Sequence, residues 1–278
     1  MVNSVLQPGV EVRDLHSHIL NQELRLYIKL PWRYAQNNTS YPVLFSLDGN
    51  RSFPLYSTMS LIYETPGTDS PEILIVGVGY KVDNERIKGL AQWAVWRTRD
   101  LTPEYREDIN QSLSKVISTV SGAEELDIRS GGASLYLQSL REEIIPFIEK
   151  NYRVSSMDRG LAGYSYGGLF VLYTLFHHSE LFTRYFAGSP SLLEVVFEYE
   201  DIYASKHNDL RARLFITAGE HESELVESLK QLTGRLGARN YAGLEIQTHV
   251  FEGEGHRSAY AAAISRALAV LYCEDWLT

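Results

Sequence analysis

Runs of apolar residues, spaced in two different ways, divide the chain into predicted strands and helices. Residues 10–20 and 23–30 alternate between apolar and polar positions, which is typical of strands with one face in the core, and we expect them to pair antiparallel at one sheet edge. The run at 72–78 is almost wholly apolar, as in a central parallel strand covered on both faces. Further strands are predicted at residues 41–47, 182–187, 213–218 and 244–251.

Helices are predicted between these strands. Helical spacing over residues 135–152 predicts an amphipathic helix that kinks or restarts at Pro146. Other helices are expected at residues 52–64, 223–236 and 257–272. Strands that alternate with helices, with no linker between them, predict an α/β fold: a doubly wound, mostly parallel sheet with an antiparallel N-terminal edge. We expect residues 1–278 to form one such domain.

One long stretch, residues 81–134, shows neither period clearly. We predict a loop there. Because a loop of this length inside a compact domain is usually functional, we expect it to set specificity. Its two tryptophans, Trp93 and Trp96, either line a cleft or only pack the loop.

A serine between two glycines, in the segment Gly163-Tyr164-Ser165-Tyr166-Gly167, links an apolar strand to an apolar helix-forming run. In that strand–turn–helix setting a G-x-S-x-G motif forms a nucleophile elbow. The glycines are expected because the turn is too tight for side chains on either flank. The alternative is a chance match, and the apolar strand before the motif and the helix after it argue against that.

A serine hydroxyl becomes an effective nucleophile when a base removes its proton, and in this arrangement the chain order is serine, acid, histidine. His256, in a Gly-Glu-Gly-His turn after a predicted strand, is the expected base. The acid is expected in the Gly-Glu-His-Glu turn after the preceding strand, where we prefer Glu222 and keep Glu220 as the alternative. A serine–histidine pair without an acid also stays open.

Backbone N–H groups are expected to stabilise the negative charge that develops on a substrate oxygen, in an oxyanion hole. Tyr166, directly after the nucleophile, is one predicted donor. Asn50, in the Asp-Gly-Asn turn that follows the strand at 41–47, is the other. The alternative for this second segment is a simple turn.

Composition narrows the class of partner. The net charge of −9 at pH 7 argues against nucleic acid and anionic membrane surfaces. No apolar run approaches the ~20 residues that span a bilayer, and residues 1–12 lack the basic start and apolar core of a secretory signal. The single cysteine, Cys273, fits a reducing compartment. We therefore expect a cytoplasmic protein whose partner is a small molecule.

The ordered motifs resemble those of the Putative esterase family of α/β-hydrolases, which includes siderophore trilactone esterases, feruloyl esterases and mycolyltransferase-like proteins. The resemblance extends from about Tyr41 to the C-terminal helix, and the chain is most similar to the branch with the trilactone esterases. The matching segments are YPVLFSLDGN, RTRDLTP, SGGA, IIPFIEKNYRV, GYSYGGLF, AGSPSL, GEHE and EGEGH.

This resemblance implies a serine nucleophile at Ser165, a histidine base at His256, no metal and no cofactor. The acid position varies within the branch, so the resemblance does not decide between Glu222 and Glu220. It also implies a small-molecule ester as the substrate.

The resemblance further implies that Arg97, Arg99 and Asp100 border the acyl pocket. The net charge of −9 is unfavourable for an anionic ferric catecholate unless Arg51, Arg97 and Arg99 create a local basic patch. The alternative is that these arginines form ion pairs with Asp48, Asp100 or Glu104.

Together these observations predict a serine carboxylic-ester hydrolase that works through an acyl-enzyme on Ser165. A feruloyl or other carbohydrate esterase would share every catalytic residue, and an acyltransferase would differ by excluding water. A non-catalytic binding protein on the same fold would not react with a serine-directed phosphonate.

Overall fold

An eight-stranded sheet carries the fold in a computed structural model that describes residues 9–64, 72–122 and 126–273. The first eight residues, which bear on the expectation about a secretory signal, lie outside these ranges. The strands are β1 (Val10–Ser17), β2 (Gln22–Lys29), β3 (Tyr41–Ser46), β4 (Leu74–Tyr80), β5 (Val154–Tyr164), β6 (Arg184–Gly188), β7 (Asp209–Gly219) and β8 (Ala242–Phe251).

The strand order is β1-β2-β4-β3-β5-β6-β7-β8. The first two strands pair antiparallel with each other, and β2 pairs antiparallel with β4, whereas the remaining neighbours are parallel. The predicted mostly parallel sheet with an antiparallel N-terminal edge is therefore confirmed. Since β3, β5, β6, β7 and β8 run in the same direction, the turns that follow them meet at one edge, where ligands bind in open α/β sheets.

Helices cover both faces of the sheet. They are α1 (Gly49–Tyr63), α2 (Arg86–Leu101), α3 (Glu107–Ser121), α4 (Ala133–Ser139), α5 (Ile145–Asn151), α6 (Tyr166–His177), α7 (Leu193–Ala204), α8 (Ser223–Arg239) and α9 (Tyr260–Tyr272). Successive residues of β3 enter different cores: Val43 and Phe45 join the larger one, and Leu44 joins the smaller one beneath α1 and α9. This burial on both faces explains the nearly continuous apolar runs.

The predicted loop over residues 81–134 is wrong, because α2 and α3 occupy much of it. Helix α3 turns polar side chains inward: Asn110 and Ser114 are buried, whereas Val116 and Val120 are 56% and 62% exposed. The Asn110 side chain accepts a hydrogen bond from the Ser130 N–H (2.9 Å). The sequence nevertheless carries a helical pattern here, because Ile109, Leu113, Ile117 and Val120 recur at spacings of three and four residues. Helix α7 was not predicted either.

The predicted interruption at Pro146 is confirmed. Between α4 and α5 the chain forms a π-helical turn, Leu140–Ile144, and Pro146 lies in the first turn of α5. Proline has no N–H to donate, so it fits best in the first turn of a helical segment.

An ion pair buried between β2 and the end of α1 links the antiparallel edge to the helical layer. The side chains of Lys29 and Glu64 are only 1% and 3% exposed, and the ammonium donates to the carboxylate. Two charges this far from water need each other, because either one left alone would lack both hydration and a counter-charge.

We predict that Lys29→Met destabilises the protein by about 3–5 kcal/mol, because it leaves the Glu64 carboxylate buried without its partner. The double variant Lys29→Met/Glu64→Met is expected to recover most of this loss, since both charges are then absent. Urea unfolding of the two variants and the wild type measures the difference. A single variant within about 1 kcal/mol of wild type would contradict the prediction.

Candidate active site

Ser165 lies at the junction of β5 and α6 in a strained backbone conformation, with φ 61° and ψ −120°. Its N–H donates to the Gly188 carbonyl (2.9 Å), and its own carbonyl accepts from the Leu169 N–H (3.0 Å). The neighbouring strand and the first turn of the helix therefore hold the serine in place. This is the geometry of the predicted nucleophile elbow.

The two glycines of the motif differ in their need for a missing side chain. A Cβ on Gly163 would lie 2.2 Å from the Gly167 carbonyl oxygen, so the close approach of strand and helix requires glycine there. The atoms nearest to a Cβ on Gly167 would be 3.6 Å away, which is an ordinary van der Waals distance. The expectation that both flanks are too tight is thus correct for Gly163 and wrong for Gly167.

Backbone strain is concentrated around this serine. Six non-glycine residues in the described ranges have positive φ, and four of them lie at the carboxyl edge of the sheet: Asp48, Ser165, Ser189 and Leu192. Each such residue costs about 1–3 kcal/mol and persists only where the surroundings fix it. Ser189 and Leu192 flank Ser191, whose Oγ lies 3.1 Å from the Ser165 Oγ. The strained loop after β6 thereby brings a second hydroxyl against the first.

The structure brings Glu222 and His256 together. Glu222 Oε1 lies 2.6 Å from His256 Nδ1, and its Oε2 accepts hydrogen bonds from Ser189 Oγ (2.7 Å) and the Gly219 N–H (2.8 Å). Burial alone would raise the pKa of this carboxyl, but the three hydrogen bonds outweigh burial and hold the pKa below its usual value. An ionised carboxylate at Nδ1 fixes the proton on that nitrogen, which leaves Nε2 as the acceptor.

Glu220, the alternative acid, has a different contact. Its carboxylate accepts from the Gly253 N–H (2.7 Å), in the turn that carries His256. The backbone of the two turns is also joined, since the His221 N–H donates to the Glu254 carbonyl (2.9 Å). Glu220 therefore supports the histidine loop, and Glu222 contacts the imidazole.

Two residues that sequence reasoning did not assign complete this network. The Tyr164 hydroxyl donates to the His256 carbonyl (2.9 Å) and lies 2.8 Å from Ser189 Oγ, and burial raises its pKa to about 12. The Ser189 hydroxyl connects this tyrosine to Glu222. The sequence did show a Ser-Pro-Ser segment, which includes Ser189, at the end of a predicted strand. Its contact with Glu222 could not be inferred without knowing that β6 lies between β5 and β7.

The predicted oxyanion donors occupy the first turns of two helices, where backbone N–H groups have no partner within the helix. Tyr166 begins α6, and Asn50 is the second residue of α1. The Asn50 side chain is held at both ends of its amide, because its Oδ1 accepts from the Tyr80 N–H and its Nδ2 donates to the Tyr80 carbonyl (both 2.8 Å). This clamp fixes the start of α1 against the end of β4.

The arginines predicted to border the acyl pocket are engaged in ion pairs. Arg97 makes two hydrogen bonds of 2.8 Å to Asp48, and its side chain is 13% exposed. Arg99 pairs with Asp100, whose carboxylate is 1% exposed. The pairing alternative therefore describes both arginines. Asp48, the partner of Arg97, is the residue with positive φ that begins the Asp-Gly-Asn turn.

The tryptophans lie on α2. Trp96 packs against the Tyr80 ring, with ring centroids 5.7 Å apart. Trp93 is contacted by two guanidinium groups, those of Arg51 and Arg97, at 4.6 and 4.9 Å from the ring centroid. Contact of these tryptophans, of the two paired arginines or of Asp100 with a substrate stays a prediction.

The fold and the arrangement around Ser165 define the class: the protein has the α/β-hydrolase fold. A family model described as "Putative esterase" matches residues 17–120 and 118–271, so the chain belongs to this family and is an ester hydrolase. The resemblance inferred from the sequence motifs is thereby confirmed.

No helix within residues 9–64, 72–122 and 126–273 is long and apolar enough to cross a membrane.

Relatives of the chain share most of its length. It is 29% identical to the ferri-bacillibactin esterase BesA of Bacillus subtilis, over 96% of this chain and 90% of that protein. It is 27% identical to the apo-salmochelin esterase of Escherichia coli, over 85% and 72%. The crystal structure of the BES protein from Bacillus cereus matches with a TM-score of 0.77 at 26% identity, covering 98% of each chain.

We predict that Gly163→Ala destabilises the protein by about 3 kcal/mol, because the new methyl group collides with backbone atoms that the elbow cannot displace. Gly167→Ala is the matched control. It adds the same methyl group four residues away, where there is room, and alanine is the better helix former. Urea unfolding of both variants checks this, and equal stability of the two would contradict the proposed tightness at Gly163.

Proposed function

We propose that this protein is a serine carboxylic-ester hydrolase that forms an acyl-enzyme on Ser165. The observation that carries the proposal is the short hydrogen bond between Glu222 and His256, whose ring packs on Tyr164, the residue before the serine in the strained elbow. Strain of this kind persists where the surrounding structure fixes it, and such residues cluster at active sites.

In the first half of the reaction, His256 Nε2 takes the Ser165 proton as Oγ attacks the ester carbonyl carbon. The carbonyl oxygen becomes an oxyanion, which the N–H groups of Tyr166 and Asn50 stabilise. Collapse of this intermediate breaks the bond to the alcohol oxygen, and the imidazolium returns the proton to the departing alcohol. Glu222 holds the imidazole in the required tautomer and stabilises its positive charge.

In the second half, a water molecule attacks the acyl-enzyme with His256 again acting as the base. The second tetrahedral intermediate collapses to release the carboxylic acid, and the proton returns to the Ser165 oxygen. Every proton transfer uses the same imidazole nitrogen, Nε2, so the contact between Nδ1 and the Glu222 carboxylate stays in place throughout.

We propose a siderophore ester, such as a catecholate trilactone, as the substrate. Two relatives that align with most of the chain are named for bacillibactin and salmochelin esterases. Such a substrate is a small molecule, which agrees with an acidic chain that has no evident affinity for nucleic acid. A cytoplasmic location is part of the proposal, and the single cysteine, buried at the end of α9, is compatible with it.

We predict that a catecholate trilactone is hydrolysed with a kcat/KM about a hundredfold or more above that of a short-chain aryl ester or methyl ferulate. The Ser165→Ala variant serves as the blank for each substrate and should keep less than a few per cent of wild-type turnover. A preference for methyl ferulate would assign a feruloyl esterase, and transfer to an added alcohol in place of hydrolysis would assign an acyltransferase. Substantial turnover by Ser165→Ala would contradict the nucleophile.

We predict that Glu222→Gln lowers kcat by about a hundredfold or more, because the donors at Ser189 and Gly219 favour the amide oxygen on their side and turn its NH₂ toward His256 Nδ1. That arrangement stabilises the wrong imidazole tautomer. Glu220→Gln is the control: its amide oxygen can still accept from Gly253, and kcat should stay within about threefold.

Steady-state kinetics of both variants on one substrate decide between the two acids. A larger loss in Glu220→Gln would show that Glu222 is not the acid. Wild-type rates in both variants would indicate a serine–histidine pair that works without a carboxylate.

A further inference from the structure

We propose that Arg51 binds an anionic aromatic substituent of the substrate, an aryl carboxylate or an iron-bound catecholate, at the entrance to the site. This inference rests on the proposed function, since it assigns a charge preference to the same site. Arg51 is distinguished from Arg97 and Arg99 by its position and by its lack of a carboxylate partner, and its guanidinium also lies over an aromatic ring.

The position follows from the start of α1. Arg51 comes directly after Asn50, whose backbone N–H is the proposed oxyanion donor and whose side chain is clamped to Tyr80. The Arg51 N–H itself donates to the Asp48 carbonyl (2.8 Å), so its backbone is fixed in the first helical turn. The side chain is exposed and therefore extends from a rigid turn at the edge of the reaction centre.

The charge of Arg51 is not balanced by a partner. Among residues 9–64, 72–122 and 126–273, no carboxylate lies within ion-pairing distance of its guanidinium. Arg97, which contacts the same tryptophan, is neutralised by the two hydrogen bonds to Asp48. The group of Arg51, Arg97 and Asp48 therefore carries a net charge of about +1 in a chain whose overall charge is −9. That local excess attracts an anion that the rest of the surface repels.

Two aromatic rings are close to this cation. The guanidinium lies 4.6 Å from the centroid of Trp93. Burial and the Asp48 carboxylate raise the pKa of Tyr260. The positive charges of Arg97 and Arg51 lower it, so both guanidinium groups are within electrostatic reach of the Tyr260 hydroxyl. The Tyr260 ring in turn packs on Tyr164, with centroids 4.5 Å apart, next to the nucleophile.

This combination suits a flat anion. The N–H groups of a guanidinium that lies against an indole can donate to two oxygens of one carboxylate or catecholate at once. The neighbouring aromatic faces can receive the ring that bears those oxygens. An aliphatic neutral ester would use neither feature.

The test compares pairs of esters that differ in charge, and the first two pairs are close in shape as well. One pair carries the group on the acyl side: the mono-4-nitrophenyl ester of isophthalic acid and its carboxamide analogue. The second carries it on the alcohol side: 3-carboxyphenyl butyrate and 3-carbamoylphenyl butyrate. A third pair is a catecholate trilactone with and without ferric iron, which separates an iron-bound catecholate from a simple carboxylate. The quantity measured is the ratio of kcat/KM for the anionic member to that for the neutral member.

We predict that Arg51→Gln lowers this ratio about tenfold in at least one pair, that Arg51→Lys lowers it less, and that 0.5 M NaCl lowers it in the wild type more than in Arg51→Gln. Arg211→Gln is the matched control. It removes one exposed arginine near the N-terminal end of β7, whereas Glu222 follows the C-terminal end, and it should leave the ratio unchanged. A wild-type ratio in Arg51→Gln for all three pairs would overturn the proposal, as would an equal loss on both members of every pair. Ser165→Ala is run alongside, and turnover there would refute the proposed function separately.

Discussion

The backbone conformation of Ser165 is the constraint on which the rest of the site depends. A serine with φ 61° is unfavourable by about 1–3 kcal/mol, and only its surroundings hold it there. Those surroundings are the hydrogen bond to Gly188 of the adjacent strand and the close approach of Gly163 to the first turn of α6. Because the parallel strands end at the same edge, the same arrangement aligns the loops that follow β3, β6, β7 and β8 around one hydroxyl.

Polar contacts then connect those loops into a single unit. Ser189, from the loop after β6, donates to Glu222 after β7, and Glu222 contacts His256 after β8. Tyr164, next to the serine, returns to the histidine loop through the His256 carbonyl. On the opposite side, the Asn50 side chain fixes α1 to β4, and Arg97 fixes the strained Asp48. Glu222, His256 and the proposed oxyanion donors are thus held by contacts from several strands, as preorganised catalysis requires.

Part of this arrangement was predictable from sequence because it depends on local chemistry. The glycine–serine motif, the turns that hold Glu222 and His256, and the apolar parallel strands each have a signature within a few residues. The part that was missed depends on distant partners. Helix α3 is an exception, because Ile109, Leu113 and Ile117 follow helical spacing and its signal was present in the sequence. The contact of Ser189 with Glu222 requires the strand order, and so does the choice of Asp48, 49 residues away, among the carboxylates that were open as partners of Arg97.

The central claim is that an acyl group is transferred to Ser165, and the most direct test is to find it there. The enzyme would be mixed with a slowly hydrolysed aryl ester, quenched with acid during turnover, and measured by mass spectrometry of the whole chain and of its peptides. The account predicts a mass increase equal to one acyl group, located on Ser165 and absent when that serine is replaced by alanine. Steady hydrolysis with no adduct under conditions that trap acyl-enzymes, or an adduct on Ser191, whose hydroxyl lies 3.1 Å from the Ser165 hydroxyl, would contradict it.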